Sequence, residues 1–317
     1  MSRVRLKRLL KNAHLVSPFL VLGDPSPALS LELAKAAVDA GAGALEIGFP
    51  YGDPVADGPA IQRANMRALS SGTSTSSAMR ILARIHEARP KTPLNLLVYG
   101  NLVHARGLEP FTEDAVAAGA SSLLVPDVPL EESAPLKRAC RTSGLAHVQL
   151  VGPLTGDERL RRIDRMADGF VYLVAHQGIT GVRGGDFSDV EALVARTASL
   201  ARNPVCLGFG LSKPEQIGRA FEAGARIAVV GSHLANVIGE SWEGNGGDRG
   251  EIVLSRFGAA IEELCSGART PSQGFGGPRR SPKGGGGRAT EFRRAGVEPG
   301  ARRAPDSRRA GVGPRAH

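Results

Sequence analysis

The sequence has little cysteine, and what it has forms no pattern. Cys140, Cys206 and Cys265 are odd in number and far apart, with no CxxC or paired histidine beside them. That excludes a disulfide framework or a cysteine-built metal site and leaves three reduced thiols, expected to be buried. No run of 18 apolar residues occurs either, which excludes a membrane-spanning helix. The first residues, MSRVRLKRLLKN, lack the apolar stretch and small-residue cleavage site of a secretory signal. A cytoplasmic protein is the expectation.

Excess charge of one sign is also missing from most of the chain. The 317 residues carry a formal net charge of +9, a value that alone would point to nucleic acid or an anionic surface. Residues 269–317 account for all of it, with twelve Lys and Arg against Glu291, Glu298 and Asp306. The first 268 residues hold 28 charges of each sign, which excludes a basic binding domain. The same C-terminal stretch has eleven Gly and six Pro, with Phe275 and Phe292 its only aromatics. Such a chain cannot bury enough surface to offset its ordering entropy. The division is therefore a folded domain over 1–268 and a disordered basic tail over 269–317.

What the folded part does have is a repeat. DAGAGALEIG (39–48), AAGASSLLVP (117–126) and EAGARIAVVG (222–231) each read as a helix end, a glycine stop and an apolar run. Glycine closes a helix because it accepts a left-handed φ, and a continuous apolar run suits a strand buried on both faces. PFLVLG (18–23), PLNLLVYG (93–100), HVQLVGP (147–153), FVYLVA (170–175) and PVCLGFG (204–210) bring the strands to eight. Amphipathic segments such as IQRANMRALSS, SAPLKRACRTS and KPEQIGRAFEAG lie between them. Eight strand-helix units in about 250 residues predict a closed (β/α)8 TIM barrel, with an open doubly wound sheet as the alternative.

In a barrel, function sits at the C-terminal ends of the strands. Strand two and its loop read LEIGFPYGDPVADGPAIQRA. Glu46 lies between Leu45 and Ile47 and faces either the barrel mouth or the helices. In the mouth, desolvation would raise its pKa toward neutrality, as suits a general acid; a rim ion pair with Arg or Lys is the competing account. Asp57, in the polar loop, is either a second ionised carboxylate or the N-cap of a helix beginning near Pro59. Asp53, before Pro54, reads more simply as a cap. After strands seven and eight, Gly208, Gly210, Gly231 and Ser232 precede helices, so unobstructed N–H groups and two helix dipoles are expected to converge on a phosphate. Ordinary turn glycines are the alternative. The segment HQGITGVRGGDF, with four glycines around Thr180 and Arg183, reads as a lid or as a merely flexible loop.

With those residues located, the sequence resembles the α subunit of tryptophan synthase across roughly 5–265. The motifs come in the family's order: PFLVLGDP, LEIGFPYGDPVADGPAIQ, YGNLV, VPDVPLEES, GITG, GFGLSKPEQ and VVGS. The second is highly specific. The resemblance implies reversible retro-aldol cleavage of indole-3-glycerol phosphate to indole and glyceraldehyde 3-phosphate, without metal or cofactor, in tryptophan biosynthesis. It places Glu46 and Asp57 at the catalytic positions and an indole slot at Phe19, Leu97, Leu124 and Tyr172, with Tyr99 supporting Glu46 or Asp57. It also puts Gly181, Phe209, Gly210, Gly231 and Ser232 around the phosphate, and Thr180 on the lid, bonded to Asp57. A β subunit, in an α2β2 assembly, would meet Pro50, Asp53, Pro54 and Asn101. Gly52, where the family usually has Ser, and His176 and Gln177 before GITG are departures that touch the lid and interface. A free-standing lyase releasing indole, or a non-catalytic barrel acting on a partner, are the alternative functions.

Overall fold

A computed structural model describes residues 3–175, 187–208, 210–244 and 249–269. Eight strands run β1 (Leu15–Val21), β2 (Leu45–Gly48), β3 (Leu94–Leu97), β4 (Ser122–Leu124), β5 (Ala146–Val151), β6 (Val171–Val174), β7 (Val205–Gly208) and β8 (Ala225–Val230). Each pairs in parallel with the next and β8 returns to β1, closing the barrel. The open-sheet alternative is thereby excluded. In all three repeats the glycine after the helix, Gly41, Gly119 or Gly224, has positive φ, so the chain turns into its strand where the sequence marks it.

The first strand begins earlier than its apolar run implies. Pro18 lies inside β1 rather than at its start, at the point where the strand changes neighbours: Leu15–Pro18 are in register with β8, and Phe19–Val21 with β2. A helix at Arg3–Asn12, masked in the sequence by its basic residues, precedes the barrel. Its Leu6 and Leu10 are fully buried in one cluster with Leu15, Ala44, Ala146 and Phe170, inward-facing residues at the strand starts. This helix therefore closes the N-terminal end and leaves the C-terminal end open.

Strand alternation sorts the two sides of the wall. Leu45 and Ile47, Leu94 and Leu96, and Val171 and Leu173 face the layer of helices, while Glu46, Leu97 and Tyr172 point inward. Cys140, Cys206 and Cys265 are all buried, as expected. No helix among the described residues is long and apolar enough to cross a membrane. Helical structure continues through a final turn at Gly267–Arg269, one residue past the expected boundary. The expected tail beyond it, 270–317, lies outside the described residues.

Candidate active site

Glu46 owes its place to β2. Its neighbours take the helix side, so alternation sends its carboxyl into the barrel, where the residue is 4% exposed. Among the described residues no Lys or Arg forms the rim ion pair with Glu46. The hydrogen bond that reaches Glu46 comes instead from the Tyr172 hydroxyl, which donates to Oε2 at 3.0 Å. Burial outweighs that bond and pushes the Glu46 pKa up to about 8, with the Asp57 charge adding to the rise. At neutral pH this carboxyl mostly keeps its proton. Room for Tyr172 depends on Gly208 at the end of β7, since a Cβ there would collide with the phenol hydroxyl.

Asp57 is not a helix cap. The helix Pro59–Ser70 has Gly58 as its N-cap and Pro59 in its first turn, with no side-chain capping bond. The Asp57 carboxylate instead lines the cavity, with Asn65 Nδ2 3.4 Å from Oδ2 and the Tyr99 hydroxyl near enough to hold its pKa down. Tyr99 thus supports Asp57 rather than Glu46, and its hydroxyl also accepts the Ala56 N–H at 3.1 Å. Partial burial raises the Asp57 pKa to about 6, with Tyr99 and Asn65 restraining the rise. The two carboxyls therefore occupy different protonation states over a span near neutrality.

Both acids line one cavity of about 380 Å³ at the open end of the barrel. One part is apolar, with Phe19, Ile61, Leu97, Val229 and the Tyr172 ring; the other is built from Gly210, Ser212, Gly231, Ser232, His233 and Asn236. Phe19 packs against two glycines, since a Cβ on Gly48 would meet its ring at 2.7 Å and one on Gly231 would lie 3.5 Å from its Cβ. The helix Ser232–Glu243 starts at this polar end with Gly231 as N-cap and no capping side chain, so its first N–H groups are open to an anion. At the other expected helix start, a side chain of the helix itself reaches back to the loop. Gln216 Oε1 accepts the N–H groups of Ser212 and Lys213 at 2.9 and 3.1 Å, capping the helix Pro214–Glu222 from within the chain.

Among the other expected residues, Leu124 is buried in the packed layer with Leu97 and Tyr172 and does not line the cavity. Thr180, Gly181 and Phe209, with His176, Gln177 and Arg183, lie outside the described residues. Asp53 and Asn101 are exposed and Pro54 is half-buried, but Pro50 is buried and presents no surface in the isolated chain. Sequence reasoning missed Ile61, Asn65, Leu211, Ser212, Val229, His233 and Asn236. For Asn65 a signal existed: it falls in register with Ile61 and Ala68 on the buried face of an amphipathic helix, where a polar residue calls for a partner.

Comparison with known proteins agrees with this geometry. The family model for the tryptophan synthase alpha chain matches residues 6–260. A tryptophan synthase alpha chain from Shewanella oneidensis is 41% identical over 221 residues, covering 70% of this chain and 80% of that protein. One from Methanothermobacter thermautotrophicus is 41% identical over 240 residues, covering 76% and 87%. The crystal structure of tryptophan synthase subunit alpha from Legionella pneumophila matches with a TM-score of 0.75 at 29% identity, covering 85% of this chain and 99% of that one. A structure of the tryptophan synthase α2β2 complex from Pyrococcus furiosus, described in terms of mutual activation, matches with a TM-score of 0.73 at 35% identity, covering 80% and 98%. A family match across the barrel, with two carboxyls and an open helix N-terminus sharing its mouth, places the chain in the tryptophan synthase alpha chain family, the lyases that cleave indole-3-glycerol phosphate.

Proposed function

We propose that the cavity binds indole-3-glycerol phosphate with its ring among Phe19, Leu97 and Tyr172 and its phosphate on Gly210, Gly231 and Ser232, and that Glu46 and Asp57 perform the cleavage. The observation that carries this reading is the pair of carboxyls held at different pKa values, about 8 and about 6, in one cavity lined by both apolar and polar groups.

The steps follow from those states. Breaking the bond between indole C3 and the glycerol carbon is slow while the ring is aromatic, because the departing carbon pair has no acceptor. Glu46, protonated at neutral pH, donates its proton to C3 and turns the ring into an indoleninium. The Asp57 carboxylate accepts a hydrogen bond from the ring N–H and balances the charge that develops there. As the bond breaks, its electron pair returns to the ring and restores indole. The hydroxyl on the leaving carbon gives its proton to the Glu46 carboxylate and becomes the aldehyde of glyceraldehyde 3-phosphate. One proton enters and one leaves, and Glu46 ends as it began. Tyr172 bonds Oε2 in the resting state, so the transferable proton rides on Oε1.

The family's assembly extends to this chain in the same way. A β subunit would dock on the rim where Asp53, Pro54 and Asn101 stand, completing an α2β2 heterotetramer that receives the indole. Asn101 Nδ2 donates to the Tyr51 hydroxyl at 2.7 Å, which ties that rim to the loop carrying Asp57. Three buried thiols fit work in the cytoplasm, where they would stay reduced.

Substitution tests the reading. Glu46→Gln is nearly isosteric but has no proton to donate, so it should abolish indole release while inorganic phosphate binds as it does to the wild type. A loss of only a few-fold would remove Glu46 from the chemistry.

A further inference from the structure

Asn65 is 3% exposed, on the inner face of the helix Pro59–Ser70. A buried carboxamide must satisfy both of its ends. Here Oδ1 accepts the Tyr51 N–H at 3.0 Å, while Nδ2 donates to the Ile61 carbonyl at 3.0 Å and approaches Asp57 Oδ2 at 3.4 Å. These partners fix which way the amide faces. Turned over, it would set its NH2 against the Tyr51 N–H and its oxygen against both the Ile61 carbonyl and the carboxylate. The donor is therefore held toward Asp57 by groups other than Asp57.

The helix that carries Asn65 is itself pinned. Arg67, two residues on, grips Asp24 through Nε at 2.7 Å and Nη2 at 2.9 Å, in the loop after β1. On the other side, the Tyr51 ring stacks on Tyr99 at 5.0 Å between centroids, and the Tyr99 hydroxyl helps hold the Asp57 pKa down. The backbone before Asp57 is thus tied to Asn65 at Tyr51, and the residue just before it is tied to Tyr99 at Ala56.

We propose that Asn65 is a positioning residue for the retro-aldol reaction: it aims the Asp57 carboxylate into the cavity through Nδ2 and sets the path of the loop after β2 through the Tyr51 amide. The inference rests on the assignment of Asp57 to the chemistry and goes beyond it by naming the group that orients that carboxylate. Without this donor, Asp57 both wanders and holds its proton more tightly, because one of the two hydrogen bonds restraining its pKa is gone.

The test is steady-state indole formation by the full chain across pH 5 to 9, with inorganic phosphate as competitor, for Asn65→Asp and Asn65→Ala. The Asp variant keeps an oxygen for the Tyr51 N–H but turns the donor facing Asp57 into an acid. It should lower kcat about 10- to 100-fold, the scale of a misplaced reacting group. KM and phosphate affinity should stay within about threefold, and the acid limb of kcat/KM should move to higher pH. The Ala variant should shift the limb the same way, by less. In an Asp57→Asn background, Asn65→Asp should cost no further kcat, since the group it positions is no longer a carboxylate. A folded Asn65→Asp enzyme with unchanged kcat and acid limb overturns the inference. So does parallel loss of phosphate affinity or of the far-UV spectrum, which would make Asn65 a packing residue. Full activity in Asp57→Asn alone would instead overturn the assignment of Asp57.

Discussion

Two carboxyl groups facing one cavity would titrate together if their surroundings were alike, and here burial separates them. Glu46 is buried in the barrel, where among the described residues the Tyr172 phenol bonds it, whereas Asp57 sits in a half-buried loop beside Asn65 and Tyr99. Asp57→Asn should therefore lower kcat about 10²- to 10⁴-fold, the range for a positioned charge or acid/base group, as read from indole release at saturating substrate. Unchanged kinetics would return Asp57 to the loop. Both acids were legible in the sequence, because a Glu between two apolar strand residues and an Asp before Gly-Pro are local patterns. The choice between their readings was not local. Glu46 meets Tyr172 across 126 positions, and only the closed barrel makes that contact. Asn65 went unread because an asparagine in an amphipathic helix ordinarily faces water.

At the scale of elements, the glycine stops and buried apolar runs located every strand, and the errors lie at ends. β1 runs back through Pro18 because a barrel strand changes pairing partner along its length, which no single-strand pattern encodes. The helix Arg3–Asn12 was hidden since its basic residues dominate the segment, although Leu6 and Leu10 are one turn apart and fully buried. Leu10→Ala should cost about 2–5 kcal/mol of stability by emptying the barrel floor, measured by urea denaturation. A cost below about 1 kcal/mol would mean that the helix rests on the barrel without closing it. The phosphate end shows a similar limit. Glycines following strands pointed to two open helix ends, but the Gln216 side chain binds the N–H groups leading into one of them, while the start of Ser232–Glu243 has no capping side chain.

For the whole molecule, a barrel closed below by a helix and open above gathers the two acids and the loops after the strands at one end. The isolated chain should be a slow lyase that a cognate β subunit accelerates, and substitution of Asn101 should reduce that acceleration, since Asn101 is bonded to Tyr51 in the loop that bears Asp57. Equal rates with and without saturating β subunit would identify a free-standing lyase. The basic segment 269–317 holds the whole net charge and none of the named groups, so a chain ending at residue 269 should keep its rate and thermal midpoint. The central claim is that Glu46 acts as the protonated acid while Asp57 acts as the carboxylate, and the pH dependence of kcat/KM tests it most directly. Activity should rise as Asp57 ionises through about 6 and fall as Glu46 loses its proton through about 8, with Asp57→Asn removing the acid limb. A profile without a limb near 8, or an acid limb that survives Asp57→Asn unchanged, would contradict it.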